Sequence, residues 1–122
     1  MKILNLTQHK ATKEQKAAGV VEPPSSIKTE ITNSLTFNKK PTRKEINQRA
    51  EKLTLIADLM HFKYVMIGGA PFSMAPLEAA LKAKGIKPLY AFSKRVSTEI
   101  ELPDGSIEKQ TIFKHEGFIH VI

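Results

Sequence analysis

Three short runs of this 122-residue chain set polar or cationic side chains directly behind an apolar stretch. Thr7, Gln8 and His9 follow Ile3-Leu4-Asn5-Leu6; Gly68-Gly69-Ala70-Pro71-Phe72-Ser73 follows Val65-Met66-Ile67; Ser93, Lys94 and Arg95 follow Leu89-Tyr90-Ala91-Phe92. Together they supply an imidazole, hydroxyls, a carboxamide, two cations and, at the glycines, a backbone that a ligand can approach closely. That inventory suits phosphate. A glycine turn between strand and helix offers free amides and the positive end of a helix dipole to an anion, and arginine matches phosphate with two parallel hydrogen bonds.

Each run also has a plainer use. Gly68 and Gly69 lack the Gly-Lys-Ser/Thr sequel of a phosphate loop and equally permit tight packing of a strand on a helix. His9 equally caps a turn, and Arg95 equally pairs with Glu99 or Glu101. His115, beside Glu116, suits a structural hydrogen bond, while His61 and His120 read as surface or core-edge residues. The four histidines are far apart, without a His-x-x-x-His pair, and there is no cysteine, so no metal site is predicted. Ser73 and Ser93 lack the strained elbow that exposes a serine nucleophile.

The elements that must carry these runs follow from local pattern. Residues 2–7 alternate and read as a central strand. Thr12-Lys13-Glu14-Gln15 has capping-box spacing and Gly19 supplies a stop, predicting a short helix from Lys13 to Ala18. From Val20 to Pro41 the signals weaken: Pro23-Pro24-Ser25-Ser26 reads as a loop or flap, and Leu35-Thr36-Phe37 as a brief strand or an anchor. Thr42-Arg43-Lys44-Glu45 opens the clearest helix, with Ile46, Ala50, Leu53, Ala57 and Met60 on one buried stripe. A strand from Tyr64 to Gly68, a helix from Pro76 to Lys84 closed by Gly85, and a strand from Pro88 to Phe92 make a βαβ crossover, which implies parallel strands. Val96–Leu102 and Ile107–Phe113, joined by Pro103-Asp104-Gly105-Ser106, read as a β-hairpin, followed by a last strand, Phe118–Ile122. The expected fold is a single three-layer, Rossmann-like α/β domain over residues 1–122, with a parallel central sheet and an antiparallel C-terminal hairpin.

Composition bounds the partners. The net charge of +7 favours an anionic one, and residues 1–61 carry 11 basic against 6 acidic residues, mostly scattered lysines of an ordinary solvated surface. No element reads as a recognition helix for duplex nucleic acid. The apolar runs are too short to span a membrane and no export leader is evident. Lack of cysteine fits a reducing cytosol, so a cytoplasmic protein is expected.

Three stretches resemble a known group. They are Ile3 to His9 with Thr12 and Gln15; Gly85-Ile86-Lys87-Pro88-Leu89-Tyr90-Ala91 running to Lys94-Arg95; and Glu99, Asp104-Gly105, Lys109, Phe113, His115 and Phe118. They look like the small CRISPR-associated proteins with a Rossmann-like (CARF-like) sensor fold, among them ring nucleases and signal-sequestering proteins that act on cyclic oligoadenylate. The resemblance implies a homodimer around a cyclic oligonucleotide, with no cofactor or metal. It implies that Thr7, Gln8, Gly68, Gly69, Ala70, Ser73 and Ser93 bind the ligand. Were the ring opened by its own ribose 2′-hydroxyl, His9 would be the acid or base and Lys94 or Arg95 would stabilise charge. The polar insertion and the Gly-Gly-Ala-Pro turn set the chain on a divergent branch of that group, of the kind a phage or mobile element carries. Three alternatives stay open: a sequestering or accessory protein of antiviral defence or counter-defence without chemistry, a small nucleotide- or sugar-phosphate-binding protein on the same fold, and an interaction domain using its hairpin edge.

Overall fold

Apolar runs of three or four residues are too short for helices and become strands buried on both faces. The computed structural model describes residues 1–121. In chain order it contains β1 (Ile3–Asn5), α1 (Lys13–Ala17), β2 (Val20–Val21), α2 (Ser25–Leu35), α3 (Arg43–Leu59), β3 (Tyr64–Met66), α4 (Pro71–Ala83), β4 (Lys87–Glu101) and β5 (Ile107–His120). The sheet order is β2-β1-β3-β4-β5, parallel from β2 to β4, with β5 antiparallel to β4. This is the expected Rossmann-like α/β arrangement.

The chain starts in the middle of the sheet, steps one way to β2 and the other way to β3. The winding therefore reverses between β1 and β3. Crossovers of one hand on either side of such a reversal put their helices on opposite faces. The packing agrees. Leu4, Val65 and Ile67 pack with Ile31, Leu35, Leu53, Leu77 and Leu81 from α2, α3 and α4. On the other face, Ile3, Met66 and Leu89 meet Ala11, Val20 and the partly buried Phe118. Complete burial of a leucine such as Leu77 or Leu81 contributes about 1.5–3 kcal/mol, so the α2–α4 layer supplies most of the core.

Both capping signals act. Thr12 accepts from the Gln15 amide at 3.1 Å while the Gln15 side chain accepts from the Thr12 amide at 3.0 Å, completing a capping box. Thr42 accepts from the Glu45 amide at 3.1 Å. In α3 the buried residues are Ile46, Ala50, Leu53, Thr54 and Ala57, so the expected stripe faces the core. Gly19 closes the turn after α1 at φ 112°, and a Cβ there would run into the carbonyl oxygen of Met1.

Three local expectations are corrected, and one open alternative is settled. Residues 23–26 do not form a loop or flap: α2 begins at Ser25, because Pro24 stands at the helix N-cap, where its missing amide costs nothing, and Ile27, Ile31 and Leu35 then recur every four residues toward the core. Phe37 is an anchor rather than a strand residue; its ring meets Phe72 edge-on at 5.3 Å and carries the Arg49 guanidinium at 4.1 Å. The helix after the glycine turn begins at Pro71, which takes the first helical position, and Pro76 lies inside it. Finally, β4 does not end at Phe92. It passes a bulge at Phe92/Ser93 and runs on to Glu101, paired with an unbroken β5 that absorbs the separately expected last strand up to His120; Ile122 lies outside the described residues. Beyond the bulge no third strand is paired among the described residues, and a two-stranded ribbon leaves the domain. Among the described residues no helix is long and apolar enough to cross a membrane.

Candidate functional site

In a doubly wound sheet the carboxyl ends of the strands splay apart at the reversal point and leave a crevice. Here that crevice lies between β1 and β3. The loop that forms its first wall is fastened from beneath by residues far apart in sequence.

Asn5, fully buried, is the centre of the fastening. Its amide nitrogen donates to the His9 carbonyl and to Glu22 Oε1, both at 2.7 Å, and its oxygen accepts from the Thr7 amide at 3.0 Å and the Thr7 hydroxyl at 2.6 Å. All four hydrogen-bonding positions of the side chain are thereby used. Lys28, from α2, donates to the carbonyls of Thr7 (2.8 Å) and His9 (2.7 Å) and pairs with Glu22 at 3.6 Å. Glu22 also accepts from the Ala11 amide at 2.5 Å. Burial pushes the Glu22 carboxyl up, but the hydrogen bonds from Ala11 and Asn5 and the charge of Lys28 outweigh it, and the net shift is below the ordinary 4.5. With the carbonyls of Thr7 and His9 drawn inward, the side chains of Gln8, His9 and Lys10 are left exposed at the crevice.

The crevice has a volume of about 390 Å³, lined by residues 7–10, the Ile67–Gly69 turn, the start of α1, and Tyr90 and Ala91 of β4. That volume is at the small end for a ligand pocket. The amides of Gly68, Gly69 and Ala70 donate to no backbone acceptor among the described residues, and Ala70, the N-cap of α4, provides no side-chain cap. Free N–H groups and an open helix start therefore border the second wall. The Tyr90 hydroxyl donates to Glu78 Oε2 at 2.6 Å. Burial, then the Glu78 carboxylate, raises the phenol further above its ordinary 10, so Tyr90 stays protonated and offers an aromatic wall rather than a base.

The fold thus brings together five of the residues expected at a site: Thr7, Gln8, His9, Gly68 and Gly69. Their roles divide. Thr7 spends its hydroxyl proton on Asn5, which makes it part of the loop fastening. A Cβ at Gly69 would press on Met74 and Leu35 at 3.3 and 3.5 Å, so this glycine serves packing, while one at Gly68 would meet only Thr7 at 3.7 Å. Ala70 lies just past the lining. Ser73 points inward in α4, buried and with no partner for its hydroxyl. Ser93, Lys94 and Arg95 stand exposed on the ribbon, outside the crevice lining, because β4 continues through them. Arg95 lies 5.6 Å over the Phe113 ring of the facing strand instead of pairing with Glu99 or Glu101. His115 packs edge-on against Phe118 at 5.0 Å, and its backbone amide donates to Glu14 at 3.2 Å. Among the described residues no group of three or more acidic, histidine or cysteine side chains could hold a metal ion.

Sequence reasoning missed Asn5, Lys10, Glu22, Lys28 and Tyr90. Lys10 was legible, since it continues the Thr7–His9 run; the others meet only in the fold.

One family model matches residues 1–119, a span that takes in both crevice walls and the ribbon. The chain belongs to the uncharacterized protein MJ1673 family. The family's description names no ligand and no reaction, so the chemistry must be argued from the crevice. No curated protein and no solved structure matches the chain.

Proposed function

We propose that the crevice between β1 and β3 binds a phosphate-containing nucleotide, and that the ligand is a cyclic oligonucleotide of the cyclic oligoadenylate kind. The observation that carries this reading is the pairing of unsatisfied amides at Gly68, Gly69 and Ala70 with the outward-facing His9 and Lys10 across one crevice. The amides and Lys10 receive phosphate oxygens. Tyr90 gives a base or ribose an apolar wall. A crevice of about 390 Å³ holds one nucleotide unit, so the rest of a ring would extend past its rim. A cysteine-free chain suits the reducing cytosol in which such a ligand would be met.

A second reading, binding without turnover, has a specific observation in its favour. Lys94 and Arg95, the cations wanted for charge stabilisation during ring opening, lie on the ribbon and not in the crevice of their own chain. His9 can align or deprotonate a 2′-hydroxyl, but the developing charge on phosphorus is then left to the amides and to the exposed Lys10, without the fixed cation pair. Sequestration is therefore the expected behaviour of this crevice, with cleavage slow or absent.

Calorimetric titration with cyclic oligoadenylates of several ring sizes, and with AMP as control, tests both readings. Binding at micromolar concentration or tighter is expected, weakened roughly tenfold by His9→Ala or Lys10→Ala, with intact ring recovered afterwards by chromatography. Rapid appearance of linear product would overturn sequestration, and no binding of any ring would overturn the ligand assignment. Equal affinity for AMP would point instead to a mononucleotide site.

A further inference from the structure

The ribbon formed by residues 93–101 of β4 and 107–115 of β5 is exposed along nearly its whole length. Isolated two-stranded ribbons are marginal in water, yet this one displays Ile112 at 46% and Ile100 at 39% exposure on a single face. The molecule's accessible surface is 8053 Å². A compact monomer of 13.6 kDa has about 6,600 Å². The excess of about 1,500 Å² exceeds the roughly 800 Å² that each partner contributes to a standard stable interface.

Charge is distributed unevenly along the ribbon. Near the domain stand Lys94, Arg95 and Lys114 against the single carboxylate Glu116; toward the tip stand Glu99, Glu101, Asp104 and Glu108 against the single cation Lys109. One face carries the pairs Lys94↔Lys114, Val96↔Ile112, Thr98↔Gln110 and Ile100↔Glu108 in succession. Two lysines directly opposite each other are unfavourable unless a counter-charge lies near, and neither is in an ion pair among the described residues. Between them and Glu108 lie the apolar Val96, Ile112 and Ile100, with the polar Thr98 and Gln110 in their midst.

We infer that this face packs on the same face of a second copy of the chain, the two ribbons running antiparallel about a two-fold axis near Thr98 and Gln110. In that arrangement Val96 of each copy lies over Ile100 of the other, with Ile112 beside it. The acidic tip of each, Asp104 and Glu108, reaches the Lys94–Lys114 pair of the other. A head-to-tail charge gradient is self-complementary only when the arms are reversed, which is what an isologous two-fold contact requires. The inference stands on the ribbon alone and is independent of what the crevice binds.

Charge reversal tests it, with mass measured by sedimentation velocity. The wild type is expected to be a dimer at low micromolar concentration. The base-reversed variant Lys94→Glu/Lys114→Glu and the tip-reversed variant Asp104→Lys/Glu108→Lys are each expected to be monomers with unchanged far-ultraviolet dichroism. Mixed in equal amounts, the two variants should form a heterodimer, because each base then faces an oppositely charged tip. That restoration separates the proposal from simple unfolding of the ribbon. A monomeric wild type, or variants that remain dimeric, would overturn it, as would a monomer that uses Lys94 and Lys114 to bind an anionic polymer such as heparin.

Discussion

The side chain that most governs the crevice is one that no ligand would touch. Asn5 holds the Thr7 amide and the His9 carbonyl, Lys28 holds the carbonyls of Thr7 and His9, and Glu22 holds Asn5 and the Ala11 amide, so the exposed His9 and Lys10 owe their placement to a polar cluster beneath them. Such clusters are stabilising only while every member is satisfied. Glu22 gives this a pH signature. Its carboxyl titrates below the ordinary 4.5, so its stabilising contribution is complete above pH 4.5 and drains away as pH falls through the lowered value. Urea denaturation from about pH 3 to about pH 7 should therefore show a wild type that exceeds Glu22→Gln by about 1–2 kcal/mol near neutrality, with the gap closing in acid. A gap that does not change with pH would remove Glu22 from the account. The sequence could not display this cluster, because Asn5 lies 17 residues before Glu22, with Lys28 further on, and each reads alone as an ordinary polar residue. His9, Gly68 and Gly69 were legible, since each directly follows an apolar run and strand ends are where parallel sheets place their sites.

At the scale of elements, local chemistry was readable wherever it was self-contained. The Thr12 and Thr42 caps, the α3 stripe and the Tyr64–Lys87 parallel register each depend on spacings within a few residues or on one βαβ unit. α2 was not readable, because its apolar stripe is thin and its entry, Pro23-Pro24-Ser25-Ser26, has the composition of a loop; only burial against Leu4 and Leu53 makes it a helix. The continuity of β4 was hidden for a different reason. Ser93-Lys94-Arg95 breaks the apolar pattern just where the strand leaves the core, so a change of environment looked like an end. The close of α3 offers an independent check on this local reasoning. His61 sits at φ 61°, with its amide on the Asp58 carbonyl at 3.0 Å and the Phe62 amide on the Ala57 carbonyl at 3.2 Å. This is a Schellman turn, and its left-handed position ordinarily belongs to glycine. His61→Gly should raise unfolding free energy by about 1 kcal/mol in chemical denaturation. A loss would mean that the exposed imidazole contributes more than its backbone costs.

At the scale of the whole molecule, the reversal of winding between β1 and β3 decides where any ligand can sit, because only there do loops on opposite faces of the sheet part to leave a crevice. Its two walls come from segments some sixty residues apart in the chain, the loop at residues 7–10 and the turn at 67–69. The ribbon departs from the other side of β3, past the bulge at Phe92/Ser93. The proposed ligand site and the proposed self-association surface are thus spatially separate in one chain, and amide hydrogen exchange distinguishes them. A cyclic oligonucleotide should slow exchange at residues 7–10 and 67–72 together, since one occupant bridges both walls, and leave residues 94–114 unchanged. Dilution from high to sub-micromolar protein should do the reverse, speeding exchange in the ribbon while the crevice walls hold, because opening there costs only the interface and not the core. Protection confined to one wall would place the ligand outside the crevice, and ligand protection spreading into the ribbon would show that Lys94 and Arg95 reach the bound ring after all.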